Sequence, residues 1–159
     1  MNIKELSKKE IKEILQRIYA EYDIESGVLD FLVKDFAWFI NKVGKLFILR
    51  KEVKPLVYED FVQRFGLYIA KIEKDGVRLS VEGTHIFGPL ARKKTLEVDG
   101  VKWMIGEDIK VNIQYEKGFY IVKGKYDFLG STKIKDFIAK NFLPKNRRLP
   151  MKINLHSNI

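Results

Sequence analysis

Glycine-bearing turns divide the second half of the chain into short strand-like segments, and this spacing constrains the fold more than any other feature. The segments are rich in aliphatic and aromatic residues and occupy residues 95–98, 109–113, 118–123 and 128–134. The predicted turns carry Gly100, Gly118, Gly124 and Gly130, of which Gly118 begins one segment and Gly130 lies within another, and residues 101–105 read as a short helix or turn that ends at Gly106. Many short strands joined by glycine turns are typical of a small barrel or a partly closed sheet. The second half is therefore predicted to be a small β-barrel.

The first half begins with the signature of a capped helix. Ser7 and Glu10 have the spacing of a capping box, in which each side chain bonds the backbone N–H of the other residue. Four aliphatic residues then follow at helical spacing: Ile11, Ile14, Leu15 and Ile18. This pattern predicts a helix over residues 8–21 with a single buried stripe.

Two β-hairpins are predicted after that helix. Residues 36–40 and 46–49 are aromatic and β-branched, and they flank a short turn at 41–44. The second hairpin joins residues 66–73 to 77–81 through Lys74-Asp75-Gly76, and Asp-Gly is a strong hairpin signal. Alternation there places Val77, Leu79 and Val81 inward, with Arg78 and Ser80 outward.

Residues 82–91 are predicted to form a short helical turn at most, followed by a linker, because they contain Gly83, Gly88 and Pro89. The domain boundary is accordingly placed near Arg92. The fold class is α+β, with an α+β module over residues 1–91 and a β-barrel with a basic tail over residues 92–159. A chain of 159 residues is long enough for two small domains.

Positive charge is concentrated after residue 90. The net charge is +9, from 30 Lys and Arg and 21 Asp and Glu. Residues 1–90 hold 15 cations and 14 carboxylates, whereas the rest of the chain holds 15 and 7. Phe128, Phe137 and Phe142 are interleaved with these cations, so the segment offers rings to unstacked bases as well as charge to phosphates. A solvated, lysine-rich terminus is the alternative explanation.

Signals for catalysis, cofactors and membranes are weak or missing in the sequence. There is no cysteine and there are two histidines, of which His85 is best explained as a local hydrogen-bonding side chain and His156 falls near the end of the chain. No phosphate-binding glycine loop occurs, and Trp38 and Trp103 are expected in the core. Residues 1–13 are unlike a signal peptide, and the longest apolar run, residues 36–40, is too short to span a bilayer. We therefore expect a cytoplasmic protein that is not an enzyme, with no cofactor and no metal; a charged fraction of 32% without cysteine favours a thermophile.

The order of motifs in residues 65–148 resembles a known family of RNA-binding modules. Residues 66–83 resemble the end of a pre-PUA module, and residues 98–109, 118–123 and 127–133 resemble successive parts of a PUA domain. Residues 140–148 are similar to the C-terminal end of Sun/Fmu-type RNA cytosine methyltransferases and of their stand-alone archaeal relatives in ribosome biogenesis. The methyltransferase's catalytic cysteines have no counterpart here. The resemblance implies an N-terminal pre-PUA module and a PUA-like pseudo-barrel that binds RNA.

The sequence therefore predicts a non-catalytic RNA-binding protein in ribosome biogenesis or in rRNA or tRNA modification. Its partners would be rRNA or tRNA, with a separate RNA-modifying enzyme or pre-ribosomal proteins beside them. The alternatives are a protein-interaction adaptor and a subunit that delivers RNA to a catalytic chain. The predicted RNA-binding residues are the cations of the linker and of the closing segment: Arg92, Lys93, Lys94, Lys133, Lys135, Lys140, Lys145, Arg147, Arg148 and Lys152.

Overall fold

Two five-stranded sheets, one from each half of the chain, organise the protein. The computed structural model describes residues 2–56, 59–112 and 115–150. The first sheet is antiparallel and runs β1 (Ile3–Glu5), β2 (Phe36–Asn41), β3 (Lys45–Arg50), β4 (Leu67–Glu73), β5 (Gly76–Leu79) in spatial order. The second contains β6 (Thr95–Glu97), β7 (Ile109–Lys110), β8 (Phe119–Lys123), β9 (Phe128–Lys135) and β10 (Ile138–Ala139).

The second sheet has the order β6-β8-β9-β10-β7, with β6 parallel to β8 and the other pairs antiparallel. It curls into a half-barrel around Trp103, Val122 and Leu129. The predicted α+β class with a PUA-like pseudo-barrel is therefore confirmed. Ile113, the predicted end of one strand, lies outside the described residues.

In the described residues, five helices accompany the sheets: α1 (Lys8–Tyr22), α2 (Phe31–Lys34), α3 (Glu59–Phe65), α4 (Val81–Phe87) and α5 (Gly100–Met104). The capping box that opens α1 is present, since the Glu10 N–H donates to the Ser7 hydroxyl and the Ser7 N–H donates to the Glu10 carboxylate. Those bonds, with the ammonium of Lys4, lower the pKa of Glu10 from 4.5 to about 2. The predicted stripe of α1 is buried.

The first sheet has an apolar core on each face. In β2, Trp38 faces the core that contains α1, while Ala37 and Phe39 face a second core with Val62 of α3. Strand alternation explains this division, because successive side chains point to opposite faces. Trp38 and Trp103 are fully buried, as predicted, and their indole N–H groups donate to the carbonyls of Leu32 and Leu129.

Helix α4 lies between the two sheets and corrects the prediction of a turn and linker over residues 82–91. It packs against β4 of the first sheet and β9 of the second, and a 3₁₀ turn, Gly88–Leu90, continues it. The hydroxyl of Ser80 accepts the Gly83 N–H and caps the helix. Val81 therefore begins α4 instead of ending β5, contrary to the predicted inward strand position. The glycines suggested a loop, yet they serve close packing: a Cβ on Gly83 would lie 1.9 Å from the carbonyl oxygen of Ile69.

Buried hydrogen bonds join the two sheets next to α4. The hydroxyl of Ser131 in β9 donates to the carbonyl of Leu79 in β5, at 2.7 Å. The Gly130 N–H donates to the hydroxyl of Thr84 in α4, at 3.1 Å. Because these polar groups are paired with one another and not with water, they fix the position of the second sheet against the first. The domain boundary near Arg92 lies between the two sheets along the chain and stays a prediction.

Candidate nucleic-acid interface

Nine of the ten predicted RNA-binding cations lie in the described part of the chain, and Lys152 lies outside it, as does His156. The nine fall into three groups along the chain: the linker before β6, the strand β9, and the segment around and after β10. Each group has its own contacts, so the groups are described in turn.

The linker cations Arg92, Lys93 and Lys94 differ in exposure and partner. Arg92 donates to the Asp23 carboxylate at 3.1 Å and to the Asp23 backbone carbonyl at 3.0 Å. The ammonium of Lys94 lies 3.4 Å from the Glu21 carboxylate and 3.1 Å from the carbonyl oxygen of Lys117, and its side chain is only 11% exposed. Lys93 is exposed. Lys94 therefore holds the linker against α1, and Lys93 faces solvent.

Lys133 and Lys135 of β9 line a cleft of about 650 Å³ together with Lys117. Lys133 forms an ion pair with Asp75 in the first-half hairpin, and its hydrogen bond lowers the pKa of the Asp75 carboxyl. The turn from β9 to β10 consists of Asp136 and Phe137, which both have positive φ values, 52° and 63°. That geometry is the type I′ turn of tight hairpins and is uncommon for phenylalanine. The turn leaves the Phe137 ring 48% exposed at the edge of the cleft.

The closing segment contributes Lys140, Lys145, Arg147 and Arg148. Lys140 lies 3.8 Å from the Asp108 carboxylate, and Arg147 forms an ion pair with Glu82 at the start of α4. The Nε of Arg148 donates to the carbonyl oxygen of Leu143, at 2.9 Å, and the side chain is only partly exposed. Arg148 therefore supports the closing segment from within.

Many of the predicted binding cations are thus paired with carboxylates of the first half: Arg92 with Asp23, Lys94 with Glu21, Lys133 with Asp75, and Arg147 with Glu82. These pairs span the two halves and neutralise part of the basic charge within the molecule. In the described part of the chain, Lys93, Lys135 and Lys145 are exposed and have no carboxylate within 4.0 Å. Among the predicted binding residues, they are the cations most available to a phosphate backbone.

A second groove, of about 560 Å³, runs between the two sheets at the start of α4. From the first half it receives Lys45, Tyr68 and Arg78, and from the second half Phe142 and Arg147. The Arg78 guanidinium lies 4.9 Å from the centroid of the Phe142 ring, and the Lys45 ammonium lies 5.1 Å from that of Tyr68. Burial raises the pKa of the Tyr68 hydroxyl, opposed by the nearby charge of Arg78.

Comparison with known protein families gives a match over one segment of the chain. Residues 96–149 match the family described as Methyltransferase RsmF PUA domain. The second half carries a PUA domain. It is related to the C-terminal modules of Sun/Fmu-type RNA methyltransferases, as the resemblance predicted. No curated protein matches the chain.

The match spans the second sheet and the closing segment, and therefore includes Lys133, Lys135, Lys140, Lys145, Arg147 and Arg148. A PUA domain is an RNA-binding module and not a catalytic one, so its presence indicates RNA binding. Three of these cations lie at two separate places, since Lys133 and Lys135 line the cleft whereas Arg147 lines the groove. A single continuous face over all of them stays a prediction.

No cluster of potential metal ligands occurs among the residues that the structure describes. His85, the one histidine in that part of the chain, is exposed, and its Nε2 lies 3.0 Å from the Phe128 carbonyl oxygen and 3.5 Å from the Asp127 carboxylate, so its partners are far along the chain and not local. Asp108 accepts the backbone N–H of Asn141 at 2.8 Å, so this carboxylate serves the chain itself. None of the helices in the described residues is long and apolar enough to cross a membrane.

Sequence reasoning missed Lys117 at the cleft and Lys45, Tyr68 and Arg78 at the groove. Lys117 stands in a turn, and the other three lie on strands of the first half, which is nearly neutral overall. One signal was present: Arg78 occupies the outward position of a predicted strand, opposite the inward Val77 and Leu79. An outward position was predicted, yet the side chain is only 24% exposed, and its position beside the PUA domain depends on how the two sheets pack.

Proposed function

We propose that this chain is a non-catalytic RNA-binding protein that acts in ribosome biogenesis or in the modification of rRNA or tRNA. The observation that carries the proposal is the PUA domain at residues 96–149, which coincides with the basic half of the chain. Fifteen cations against seven carboxylates after residue 90 provide the positive field that attracts a phosphate backbone.

Of the ten predicted cations, all but Lys94 and Arg148, which support the structure from within, are proposed to contact RNA, with different contributions. Lys93, Lys135 and Lys145 are free to neutralise phosphates at once, because they are exposed and carry no intramolecular ion pair in the described residues. Arg92, Lys133 and Arg147 would first have to exchange a carboxylate for a phosphate. Exposed ion pairs contribute little to stability, so that exchange is inexpensive.

The proposal includes partners and a location. A protein that binds RNA and performs no chemistry acts together with others, so we expect a separate RNA-modifying enzyme or pre-ribosomal proteins on the same RNA. If the source is archaeal, a role in the maturation of ribosomal or transfer RNA implies a cytoplasmic location. A composition without cysteine and with 32% charged residues supports a thermophilic source, and the resemblance to stand-alone archaeal relatives supports an archaeal one.

Salt dependence of RNA binding tests the proposal. Fluorescence anisotropy with single-stranded and duplex RNA would be measured between 50 and 200 mM salt. The logarithm of the association constant falls linearly with the logarithm of the salt concentration, with a slope of about −0.7 for each phosphate neutralised on a single strand. If about five phosphates are neutralised, affinity for single-stranded RNA therefore falls roughly 100-fold over this range. Lys135→Ala with Lys145→Ala should reduce that slope by about 1.4. The matched control is Lys8→Ala with Lys12→Ala, two exposed lysines of α1.

Two outcomes would overturn the proposal. Equal losses for the two lysine pairs would show that the charge acts diffusely and that the PUA domain holds no specific site. The adaptor alternative predicts no RNA binding at any salt concentration, together with a protein partner whose affinity changes little with salt. Sequencing the RNA fragments crosslinked to the protein in its own cell would identify the RNA.

A further inference from the structure

The groove between the two sheets combines aromatic rings with an excess of cations. Its charged and aromatic side chains are Lys45, Tyr68, Arg78, Glu82, Phe142 and Arg147, which are three cations, two rings and one carboxylate. They come from both halves of the chain, so the groove exists only when the two sheets are packed together. From these contacts we propose that the groove binds a stretch of unpaired RNA, with a base stacked among the rings and the Arg78 guanidinium. This inference rests on the proposed RNA-binding function. It makes the groove a second contact site, separate from the cleft that Lys133 and Lys135 line.

The first step of the argument is charge. Glu82 is the one carboxylate among the side chains that line this groove, and it already pairs with Arg147. Arg78 lies 3.5 Å from Glu73, a carboxylate outside the groove. The ammonium of Lys45 therefore has no carboxylate partner in the described residues, unlike the other two cations of the groove. The net charge of the lining is positive, so an anionic ligand is attracted.

The second step is the arrangement of the rings. The Arg78 guanidinium lies over the Phe142 ring, and the Arg78 side chain is 24% exposed, so a planar group that enters the groove can reach it. Tyr68 is only partly exposed and carries Lys45 above its ring. Aromatic rings and guanidinium planes beside a basic groove are the features by which proteins bind single-stranded nucleic acid, because every base has a face that can stack.

The third step is size. A volume of about 560 Å³ falls within the range of roughly 300–1,000 Å³ that is usual for sites holding a small organic group. A duplex cannot present its bases to such a groove, since they are stacked inside the helix, whereas an unpaired nucleotide can enter. Leu67, at the edge of the groove, is 42% exposed and adds apolar surface for a base or ribose.

The test compares single-stranded and duplex RNA on groove variants. Tyr68→Leu and Phe142→Leu each remove a ring and should weaken binding of a single-stranded 10-mer containing 2-aminopurine by about tenfold. Binding of a blunt duplex should stay within twofold, and the salt slope should not change, because no charge is lost. Lys45→Gln should lower the slope by about 0.7. Lys135→Ala, at the cleft, is the control that lowers the slope without abolishing the fluorescence change of 2-aminopurine.

Photocrosslinking provides a measurement that does not depend on the stability of a variant. A 4-thiouridine oligonucleotide bound to the wild-type protein should crosslink to peptides that contain residues 66–82 or 140–148. Crosslinks confined to the cleft peptides, or ring variants that bind the single strand as the wild type does, would overturn the groove proposal and leave the RNA-binding function intact. If the wild type binds neither RNA, both proposals fail.

Discussion

The guanidinium of Arg78 lies over the ring of Phe142, 4.9 Å from its centroid, and so joins the edge strand of the first sheet to the closing segment of the PUA domain. The carboxylate of Glu73 also lies 3.5 Å from the Arg78 guanidinium. Arg78 and Phe142 belong to different halves of the chain, and both are only partly exposed. Since a cation over a ring gains more energy when water is partly excluded, this contact should contribute to the packing of the two sheets.

The first prediction measures that contribution. A double-mutant cycle of Arg78→Met and Phe142→Leu, followed by urea unfolding, should give a coupling energy of about 0.5–2 kcal/mol. The control cycle pairs Arg78→Met with Phe36→Leu, because Phe36 lies three strands away in β2. The control should be additive within about 0.5 kcal/mol. Similar coupling in both cycles would mean that the contact at Phe142 has no specific effect.

The second prediction concerns the packing of α4. Gly→Ala in an exposed helix usually stabilises by about 1 kcal/mol, but a Cβ on Gly83 would lie 1.9 Å from the Ile69 carbonyl oxygen. Gly83→Ala should therefore destabilise the protein, by about 1–3 kcal/mol. Gly124→Ala is the matched control, since its nearest neighbour is the flexible end of Leu129 at 3.2 Å. A Gly83→Ala variant as stable as the control would contradict the close packing of α4 on β4.

The third prediction concerns pH. The Glu10 carboxylate accepts the Ser7 N–H, and this bond with Lys4 lowers its pKa from 4.5 to about 2. A pKa lowered by folding contributes stability above about pH 4.5, and that contribution is lost as the pH falls toward about 2. Glu10→Gln should therefore melt at a lower temperature than the wild type at pH 7, and the difference should shrink between pH 4.5 and pH 2. A difference that does not depend on pH would assign the effect of Glu10 to something other than its charge.

Local signals were sufficient to predict much of the fold. The capping box at Ser7 and Glu10 located α1 within one residue at its end, and Asp75-Gly76 located the turn between β4 and β5. Such signals act over a few residues, so a single sequence contains them in full. The elements that were missed, which are β1, α2, α3, β10 and most of α4, are short and depend on the partners they pack against. In α4, tertiary packing overrides the turn propensity of Gly83 and Gly88.

The candidate site was predicted less completely than the fold. Charge density located the basic half, and the PUA match at residues 96–149 coincides with it. The sequence did not show that Lys94 and Arg147 pair with Glu21 and Glu82, because those pairs join residues far apart in the chain. A formal charge therefore overstates how many cations are available to RNA, and the structure divides them into structural and accessible groups.

The last prediction tests that division at two adjacent lysines. Lys94 is 11% exposed and bonds Glu21 and the Lys117 carbonyl, whereas Lys93 is exposed without an ion pair in the described residues. Lys94→Met leaves the largely buried Glu21 carboxylate without its cation, so it should cost about 1–3 kcal/mol of unfolding free energy. Lys93→Ala should change that free energy by less than about 0.5 kcal/mol.

For RNA binding, Lys93→Ala should have a larger effect than Lys94→Met, the reverse of their order in unfolding free energy. Lys93→Ala should reduce the salt slope for single-stranded RNA by about 0.7, because one phosphate contact is lost. Lys94→Met should keep the wild-type slope at a temperature where both variants are folded, since its ammonium already faces Glu21 and Lys117. Urea unfolding and anisotropy titrations on the same two preparations check both expectations. If Lys94→Met lowers the slope as much as Lys93→Ala does, the Glu21 ion pair opens for RNA, and burial does not separate the structural cations from the binding ones.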